Sequence, residues 1–205
     1  MQISLLKKRI LEICYKYQIS HIGSFISAAD IIEEIYNKKK EDDIFILSSG
    51  HAGLALYCVL EQKYGFNAEK LYKKHGLHPH RDLDDKIYCS TGSLGTGICW
   101  GVGEAIVNKN KDVYILISDG ETFEGSIWES LSIIDEFNLS NVKVYVNING
   151  YSAYKEMDKD KLINKLKAFL PSINIRLTDF SGIEFLHGIL AHYKTINEQE
   201  YLSIK

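Results

Sequence analysis

Proline and long apolar runs are scarce in this sequence. Its 205 residues contain only two prolines, Pro79 and Pro171, and no low-complexity linker that would separate domains. We therefore expect a single domain over residues 1–205, which is long enough to bury a substantial core. No apolar run approaches the roughly 20 residues of a membrane span. Glu12 and Lys16 interrupt the N-terminal apolar stretch, so we expect neither a signal peptide nor membrane contact.

Clustered positive charge and paired cysteines are also missing. The formal net charge is −3 at pH 7, and no basic cluster is interleaved with aromatic residues, which argues against a nucleic-acid partner. The four cysteines, Cys14, Cys58, Cys89 and Cys99, do not have the spacing of metal ligands. Buried thiols in a reducing compartment are the simplest interpretation. We therefore expect a cytoplasmic protein.

Short apolar runs alternate with helical periodicity along most of the chain. Runs typical of buried strands cover 44–49, 113–118 and 141–148. Helical patterns cover about 3–18, 27–38, 50–64, 97–108 and 126–137. Ser27 is a candidate N-cap of the second helix. Strands that alternate with helices predict an α/β fold, with a doubly wound, mostly parallel sheet flanked by helices.

Two parts of the sequence are less regular. Segment 66–91 lacks strong periodicity and contains "HGLHPHRDLDD", so we expect a long loop that is functional or mobile. After about residue 155 the chain is rich in lysine and helical in pattern. A strand within 173–180 and a final helix are predicted to follow.

Two of the predicted strands end in polar dipeptides. Strand 113–118 precedes Asp119-Gly120, and strand 141–148 precedes Asn149-Gly150. A right-handed crossover would make the strands parallel, and ligands of open α/β sheets bind beyond the carboxyl ends of strands. Carboxylate and amide oxygens suit Mg²⁺ or Ca²⁺, and Mg²⁺ completes its shell with phosphate and water, which predicts a phosphorylated ligand. Two ordinary turns are the alternative, since both dipeptides are common in turns.

A glycine-rich stretch, "STGSLGTGICWGVG" at 90–103, is a candidate for binding that phosphate. Glycines let a backbone approach a diphosphate closely, and a following helix N-terminus favours an anion. The dinucleotide fingerprint fails, because Trp100 stands where a third glycine would follow Gly95 and Gly97. No Gly-Lys-Ser/Thr of a Walker A motif occurs. Close helix packing is an equally good explanation of these glycines.

Taken together, these motifs resemble the transketolase family of thiamine-diphosphate-dependent enzymes. Asp-Gly with Asn thirty residues later is similar to the thiamine diphosphate motif, here in the form "DGETFEGSIWESL". Further blocks resemble the family's in the same order: "HIGSFISAADII" at 21–32, "FILSSGHAGLALYCVL" at 45–60, and "LHPH" at 77–80 ahead of "STGSLGTG" at 90–97. The resemblance covers about residues 5–155. It implies the diphosphate-binding type of the thiamine-diphosphate-binding fold.

The resemblance also implies roles for individual residues. As ligands of Mg²⁺ it implies Asp119, the side chain of Asn149 and the main-chain carbonyl of Tyr151. As contacts of thiamine diphosphate it implies His51, Gly92, Ser93, Leu94, Gly120 and Glu121. As catalytic residues it implies His21 and His78 at the substrate, and Glu124 in an acidic network between paired active sites. The histidines that match no family block, and are expected to be ordinary, are His75, His80, His187 and His192.

The sequence departs from the family pattern in several places. Ile22 stands where proline is usual, and Ser49 where lysine is usual. The later first-domain segment that usually supplies another histidine is not recognised. The family's pyrimidine-binding domain, which carries the glutamate that activates the cofactor, is not recognised either. The resemblance therefore implies a diphosphate-binding subunit that is inactive alone and pairs with a separately encoded pyrimidine-binding chain, as an α₂β₂ heterotetramer.

The implied reaction belongs to carbohydrate metabolism. A transferase of this kind moves a two-carbon ketol unit from a ketose, or an acyl unit from a 2-oxo acid, to an aldehyde or ketone acceptor. Our hypothesis is a role in specialised sugar biosynthesis. One alternative is a subunit of a 2-oxo acid decarboxylase or dehydrogenase, but histidine-rich blocks favour transketolase because sugar hydroxyls need such partners. The other is a non-catalytic binding protein with the same fold.

Overall fold

Four parallel strands form the central sheet. The structure is a computed structural model that describes residues 3–152, 155–180 and 182–204. Among these residues the strands pair in the order β1-β2-β3-β4, and every pair is parallel. Their bounds are Ile44–Leu47 for β1, Val113–Ser118 for β2, Val142–Ile148 for β3 and Asn174–Leu177 for β4.

Eight α-helices and three short 3₁₀-helices cover and connect the strands in the described part of the chain. The α-helices are Leu5–Tyr17 (α1), Ile22–Lys38 (α2), Gly53–Tyr64 (α3), Ala68–His75 (α4), Thr96–Val107 (α5), Gly125–Glu136 (α6), Lys159–Phe169 (α7) and Glu198–Ser203 (α8). The 3₁₀-helices are Gly50–Ala52, Gly120–Phe123 and Gly188–His192. None of these helices is long and apolar enough to cross a membrane.

The sheet is buried on both faces. On one face, Tyr114 and Leu116 of β2 join a core formed mainly with α1, α2 and α3. On the other face, Val113, Ile115 and Ile117 join a core formed with α5, α6 and α7. Every residue of β2 is therefore buried, which explains why its sequence is a continuous apolar run. The predicted α/β fold, with a doubly wound and mostly parallel sheet flanked by helices, is confirmed.

The second helix begins earlier than the sequence predicts. The N-cap predicted at Ser27 is wrong, because α2 begins at Ile22 and the residue before it is His21. Ser27 lies inside the helix, where its hydroxyl donates to the carbonyl of Ser24 at 3.3 Å. Ile22 and Phe25 in the added turns are fully buried. Packing of these side chains against the core therefore outweighs the local capping signal.

The irregular segment 66–91 is only partly a loop. It contains α4, whose N-cap Asn67 accepts a hydrogen bond from the N–H of Lys70 at 2.9 Å. A helix of eight residues is too short for its apolar periodicity to be recognised. Between α4 and α5 the described chain forms no further helix or strand except an isolated bridge between Asp82 and Ile87. The predicted lysine-rich helix, late strand and final helix correspond to α7, β4 and α8.

Candidate active site

The carboxyl ends of β2 and β3 form one side of a cavity of about 290 Å³. The strand register pairs Ser118 with Asn147, so the residues that follow leave the sheet at the same edge. The N–H of Gly150 donates to Oδ2 of Asp119 at 2.7 Å, so the two strand ends touch. We call the cavity-lining residues of these strand ends the strand-end wall: Ser118, Asp119, Gly120, Asn147 and Asn149.

Asp119 is a buried carboxylate at the centre of the strand-end wall. Its residue is 1% exposed, and burial raises the pKa of its carboxyl to about 6, although hydrogen bonds from the N–H groups of Gly150 and Gly120 act in the opposite direction. No described lysine, arginine or histidine forms an ion pair with it. A buried carboxylate without a counter-charge is unfavourable. A cation bound at this edge would supply the missing charge.

The other predicted metal ligands lie beside Asp119. Oδ1 of Asn149 accepts a hydrogen bond from the N–H of Tyr151 at 2.9 Å, which fixes the orientation of the amide. Asn149 and Tyr151 both line the cavity. The wall thus offers a carboxylate and an amide oxygen, with Tyr151 also at the cavity, and these oxygen donors fit a hard cation such as Mg²⁺.

The part of the glycine-rich stretch that precedes α5, residues 90–95, also contributes to the cavity. We call it the glycine-rich loop. Gly92 and Leu94 line the cavity, whereas Ser93 is not among the lining residues. A Cβ atom at Gly50 would lie 2.7 Å from the backbone nitrogen of Gly92. The 3₁₀-helix Gly50–Ala52 is therefore in direct contact with the glycine-rich loop. Gly92 has a φ of +144°, a conformation that favours glycine. The predicted cofactor contacts Gly92, Leu94 and Gly120 are therefore brought together at the cavity.

Glu121 has a different placement from the one the resemblance implied. The residue is 0% exposed, and it does not line the cavity. Its carboxylate accepts hydrogen bonds from Ser48, Gly95 and Ser118. Burial raises the pKa of this carboxyl, against the effect of those hydrogen bonds. The placement argues against direct contact with a cofactor.

Four histidines also line the cavity. We call this set, His21, His51, His78 and His192, the histidine wall. His21 precedes α2, His51 lies in the 3₁₀-helix Gly50–Ala52, and His192 ends the 3₁₀-helix Gly188–His192. The ring centroids of His21 and His51 are 6.4 Å apart. The four side chains come from four separate segments, and only the fold brings them together.

The loop that carries His78 rests on α3. A Cβ atom at Gly53 would collide with the carbonyl oxygen of Leu77, so glycine at this position allows the loop to approach the helix. On the cavity side, a Cβ atom at Gly92 would lie 3.2 Å from the ring of His78. His78 therefore lies against the glycine-rich loop.

Burial favours the neutral form of three histidines of this wall, His21, His51 and His192. It lowers the pKa of His51 to about 4, and neighbouring His21, His192 and His78 add to this lowering. Burial also lowers the pKa of His21 and of His192. Neutral imidazole can both donate and accept a hydrogen bond. The wall therefore suits contacts with hydroxyl groups and proton transfer at neutral pH.

His192 also lines the cavity, although the sequence offered no reason to expect it there and it was predicted to be an ordinary histidine. Its carbonyl accepts the N–H of His21 at 2.7 Å, and its Nδ1 lies 3.0 Å from Oγ of Ser24 across 168 positions. Its Nε2 is buried without a hydrogen-bond partner among the described residues. Such distant contacts leave no local pattern that could have revealed it. His187, five residues earlier, is exposed and lies outside the cavity, as expected.

Glu124 lies at the mouth of the cavity. It is exposed and is the residue before α6. It packs against the glycine-rich loop, because a Cβ atom at Gly95 would lie 2.7 Å from the Cβ of Glu124. Phe123, which is 47% exposed, lines the same mouth. The predicted role of Glu124 between paired active sites stays a prediction.

Comparison with known families identifies the chain. The family model described as "Transketolase, thiamine diphosphate binding domain" matches residues 3–169. The chain belongs to this transketolase family. The match covers the strand-end wall, the glycine-rich loop and three of the four cavity histidines, and it confirms the resemblance drawn from the motifs.

Individual relatives of the family are similar in sequence. A subunit of the apulose-4-phosphate transketolase of Phocaeicola vulgatus is 33% identical over 163 residues, covering 70% of this chain and 58% of that protein. The 6-deoxy-6-sulfo-D-fructose transketolase subunit SqwG of a Clostridium species is 30% identical over 168 residues, covering 72% of this chain and 61% of that protein. This chain therefore spans less than two thirds of the length of either relative.

A solved transketolase has the same fold. The enzyme of Campylobacter jejuni superposes with a TM-score of 0.64 at 22% identity, covering 82% of this chain and 32% of that one. At this identity the likeness shows the fold alone. It agrees with the parallel sheet and its two layers of helices.

Proposed function

We propose that this chain is the diphosphate- and Mg²⁺-binding subunit of a heteromeric transketolase-like transferase. The observation that carries the proposal is that the strand-end wall, with its buried carboxylate, and the histidine wall face one cavity. Family membership supports thiamine diphosphate as the cofactor. The proposal includes residues 1–205 forming one diphosphate-binding domain.

Three groups would hold the metal ion. Asp119, the side chain of Asn149 and the carbonyl of Tyr151 are oxygen donors of the type that Mg²⁺ prefers. The raised pKa of Asp119 supports this assignment, because a carboxylate destabilised by burial gains most from a nearby cation. Diphosphate oxygens and water would complete the coordination shell.

The glycine-rich loop and His51 would hold the diphosphate. The backbone of Gly92 and Gly120 leaves room for close approach, and the neutral His51 ring can donate one hydrogen bond. Leu94, which also lines the cavity, would pack beside the cofactor's thiazolium ring. Ser93 lies between Gly92 and Leu94 but does not itself line the cavity, so its contact with the cofactor stays a prediction.

Bound thiamine diphosphate supplies the carbanion chemistry, and the protein supplies binding, orientation and proton handling. His21 and His78 would bind substrate hydroxyls or move protons to and from them. His192 joins them, because its Nε2 has no partner within the described chain. Since Oγ of Ser24 can donate to or accept from Nδ1, His192 can present Nε2 to a ligand oxygen as donor or as acceptor.

A ketose fits this cavity better than a 2-oxo acid. Several neutral histidines match the several hydroxyls of a sugar, whereas a 2-oxo acid offers a carboxylate that no described lysine or arginine in the cavity lining could pair with. The names of the two relatives assign them to specialised sugars. They support, for this chain, transfer of a two-carbon ketol unit in a specialised sugar pathway.

A second chain would complete the active site. The relatives are named as subunits, and this chain leaves Phe123 and Glu124 exposed at the mouth of the cavity. We propose a pyrimidine-binding chain that covers this mouth and carries the group that activates the cofactor. Two copies of each chain would form an α₂β₂ assembly with Glu124 between paired sites.

Calorimetry tests the proposal. Thiamine diphosphate is titrated with Mg²⁺ into this chain, into the transketolase-like pyrimidine-binding chain of the same organism, and into their mixture. We expect Mg²⁺-dependent binding in the mixture, with turnover of a ketose donor. Absence of binding in every case would contradict the proposal. Turnover of pyruvate without turnover of a ketose would favour a 2-oxo acid enzyme, and binding without turnover of either would favour a non-catalytic protein.

A further inference from the structure

We propose that Glu121 is a positioning residue that fixes the glycine-rich loop against the strand-end wall and so sets the affinity for the diphosphate without touching it. The inference rests on the proposed function, because it assumes a diphosphate ligand at this cavity. It assigns Glu121 an indirect role in place of a cofactor contact.

One carboxylate joins three elements of the fold. Oε1 of Glu121 accepts hydrogen bonds from Oγ of Ser48 at 2.7 Å and from the N–H of Gly95 at 3.1 Å. Oε2 accepts hydrogen bonds from the N–H of Ser118 at 3.0 Å and from its Oγ at 3.4 Å. Ser48 follows β1, Ser118 ends β2, and Gly95 precedes α5. Glu121 therefore ties both strand ends to the start of the helix that follows the loop.

These contacts leave Glu121 no capacity for a ligand. An ionised carboxylate has about four acceptor sites, and the protein's own donors occupy all four. The residue is 0% exposed. Any effect of Glu121 on the cofactor must therefore pass through the groups that it holds.

The loop is held immediately beside its cavity-lining residues. Gly95 is fixed from two directions, since its N–H donates to Glu121 and its carbonyl accepts from Oγ of Ser126 at 2.9 Å. Leu94, the residue before it, and Gly92 line the cavity. Ser118, held by the other carboxylate oxygen, is joined directly to Asp119. The geometry thus links the position of the loop to that of the predicted metal ligand.

Two of the four donors are backbone N–H groups, which cannot act as acceptors. The hydroxyls of Ser48 and Ser118 can rotate to accept a hydrogen bond, but the N–H groups of Gly95 and Ser118 cannot. In Glu121→Gln the side-chain NH₂ must therefore face one of these N–H groups, and that hydrogen bond is lost. Glu121→Asp keeps the charge but is one methylene shorter, so it cannot reach both strand ends and Gly95.

The test combines cofactor affinity with amide hydrogen exchange. Glu121→Gln is measured in the complex with the pyrimidine-binding chain at saturating Mg²⁺. We expect its Kd for thiamine diphosphate to rise about 10- to 100-fold, the effect typical of groups that orient the direct ligands of a metal. We expect kcat at saturating cofactor to change far less than this Kd. In the chain without cofactor, the amide that faces the new NH₂, that of Gly95 or that of Ser118, should lose protection, while the amides of Val113–Ile117 in β2 keep theirs.

Two matched variants separate positioning from general destabilisation. Glu129→Gln removes the charge of an exposed residue of α6 and should change neither measurement. Ile10→Ala removes a fully buried side chain of α1 that does not line the cavity, and should lower Tm without changing the Kd. If Glu121→Gln lowers Tm but leaves the Kd and the amides of both Gly95 and Ser118 unchanged, its role is structural only and the inference fails.

The outcome also distinguishes this inference from the proposed function. If the wild-type complex binds thiamine diphosphate and Glu121→Gln binds it equally well, only the positioning role is overturned. If the wild-type complex does not bind thiamine diphosphate at all, both proposals are overturned.

Discussion

The two walls of the cavity respond to burial in opposite ways. Burial raises the pKa of Asp119 to about 6 in the strand-end wall and lowers the pKa of His51 to about 4 in the histidine wall. In both cases desolvation favours the neutral form. At neutral pH His51 is therefore neutral, whereas Asp119 is ionised in an unfavourable environment. A cation bound beside Asp119 would therefore offset the cost of this buried charge.

The walls also differ in how the fold positions them. The strand-end wall follows from the register of two paired strands and from backbone hydrogen bonds at their ends. The histidine wall is assembled from four segments, and one of its contacts joins Ser24 to His192. We expect changes in the first wall to abolish ligand binding, and changes in the second to affect turnover more than binding.

The largest effect is expected for Asp119→Ala. Removal of a direct metal ligand should weaken Mg²⁺-dependent binding of thiamine diphosphate by at least about 100-fold. Loss of a group that only hydrogen-bonds to a metal ligand already lowers metal affinity or activity about 10- to 100-fold. Calorimetry on the complex measures this loss. The control is Asp160→Ala, which removes the same charge from an exposed position in the first turn of α7. Equal affinities of the two variants would show that Asp119 does not bind the metal.

A second prediction concerns His192→Ala. Loss of a proton-transferring group should lower kcat about 100-fold or more, with a smaller effect on the Kd of the cofactor. His187→Ala is the matched control, because His187 lies on the same segment but is exposed outside the cavity. Steady-state kinetics of the complex separates the two. If both variants keep wild-type turnover, His192 takes no part in catalysis.

The pH dependence of cation binding should be a smaller effect. The proton and the cation compete for Asp119, so the affinity for Mg²⁺ should fall as pH decreases through about 6. Below that value the expected loss is about tenfold per pH unit, the slope of a single competing proton. Titrations with Mg²⁺ between pH 7.5 and 5 measure it. A pH-independent affinity over this range would mean that a group other than Asp119 holds the ion.

The smallest effect is expected for Tyr151→Phe. The predicted ligand at this position is the main-chain carbonyl, so loss of the phenol should leave Mg²⁺ and cofactor affinities unchanged in the same calorimetric assay. A clear loss of affinity would instead assign the phenolic oxygen to the ligand. This outcome would place a side chain where the resemblance implies backbone.

Much of the fold could be predicted because local signals encode it. The apolar run 113–118 coincides with β2, since a strand buried on both faces must be apolar throughout. The start of α2 could not be predicted, because the burial of Ile22 and Phe25 depends on partners distant in sequence. The same limit applies to α4, which is too short to show a periodic pattern.

The local sequence is enough to predict that Asp119 and Asn149 lie at one edge of the sheet. Asp119 and Asn149 follow apolar strands directly, and parallel pairing then brings strand ends to one edge of the sheet. The positions of His192 in the cavity and of Glu121 outside its lining depend instead on how distant segments pack. The reason is that local pattern records which residues are buried and where elements end, whereas contacts such as Ser24 with His192 or Ser48 with Glu121 exist only after distant segments pack together.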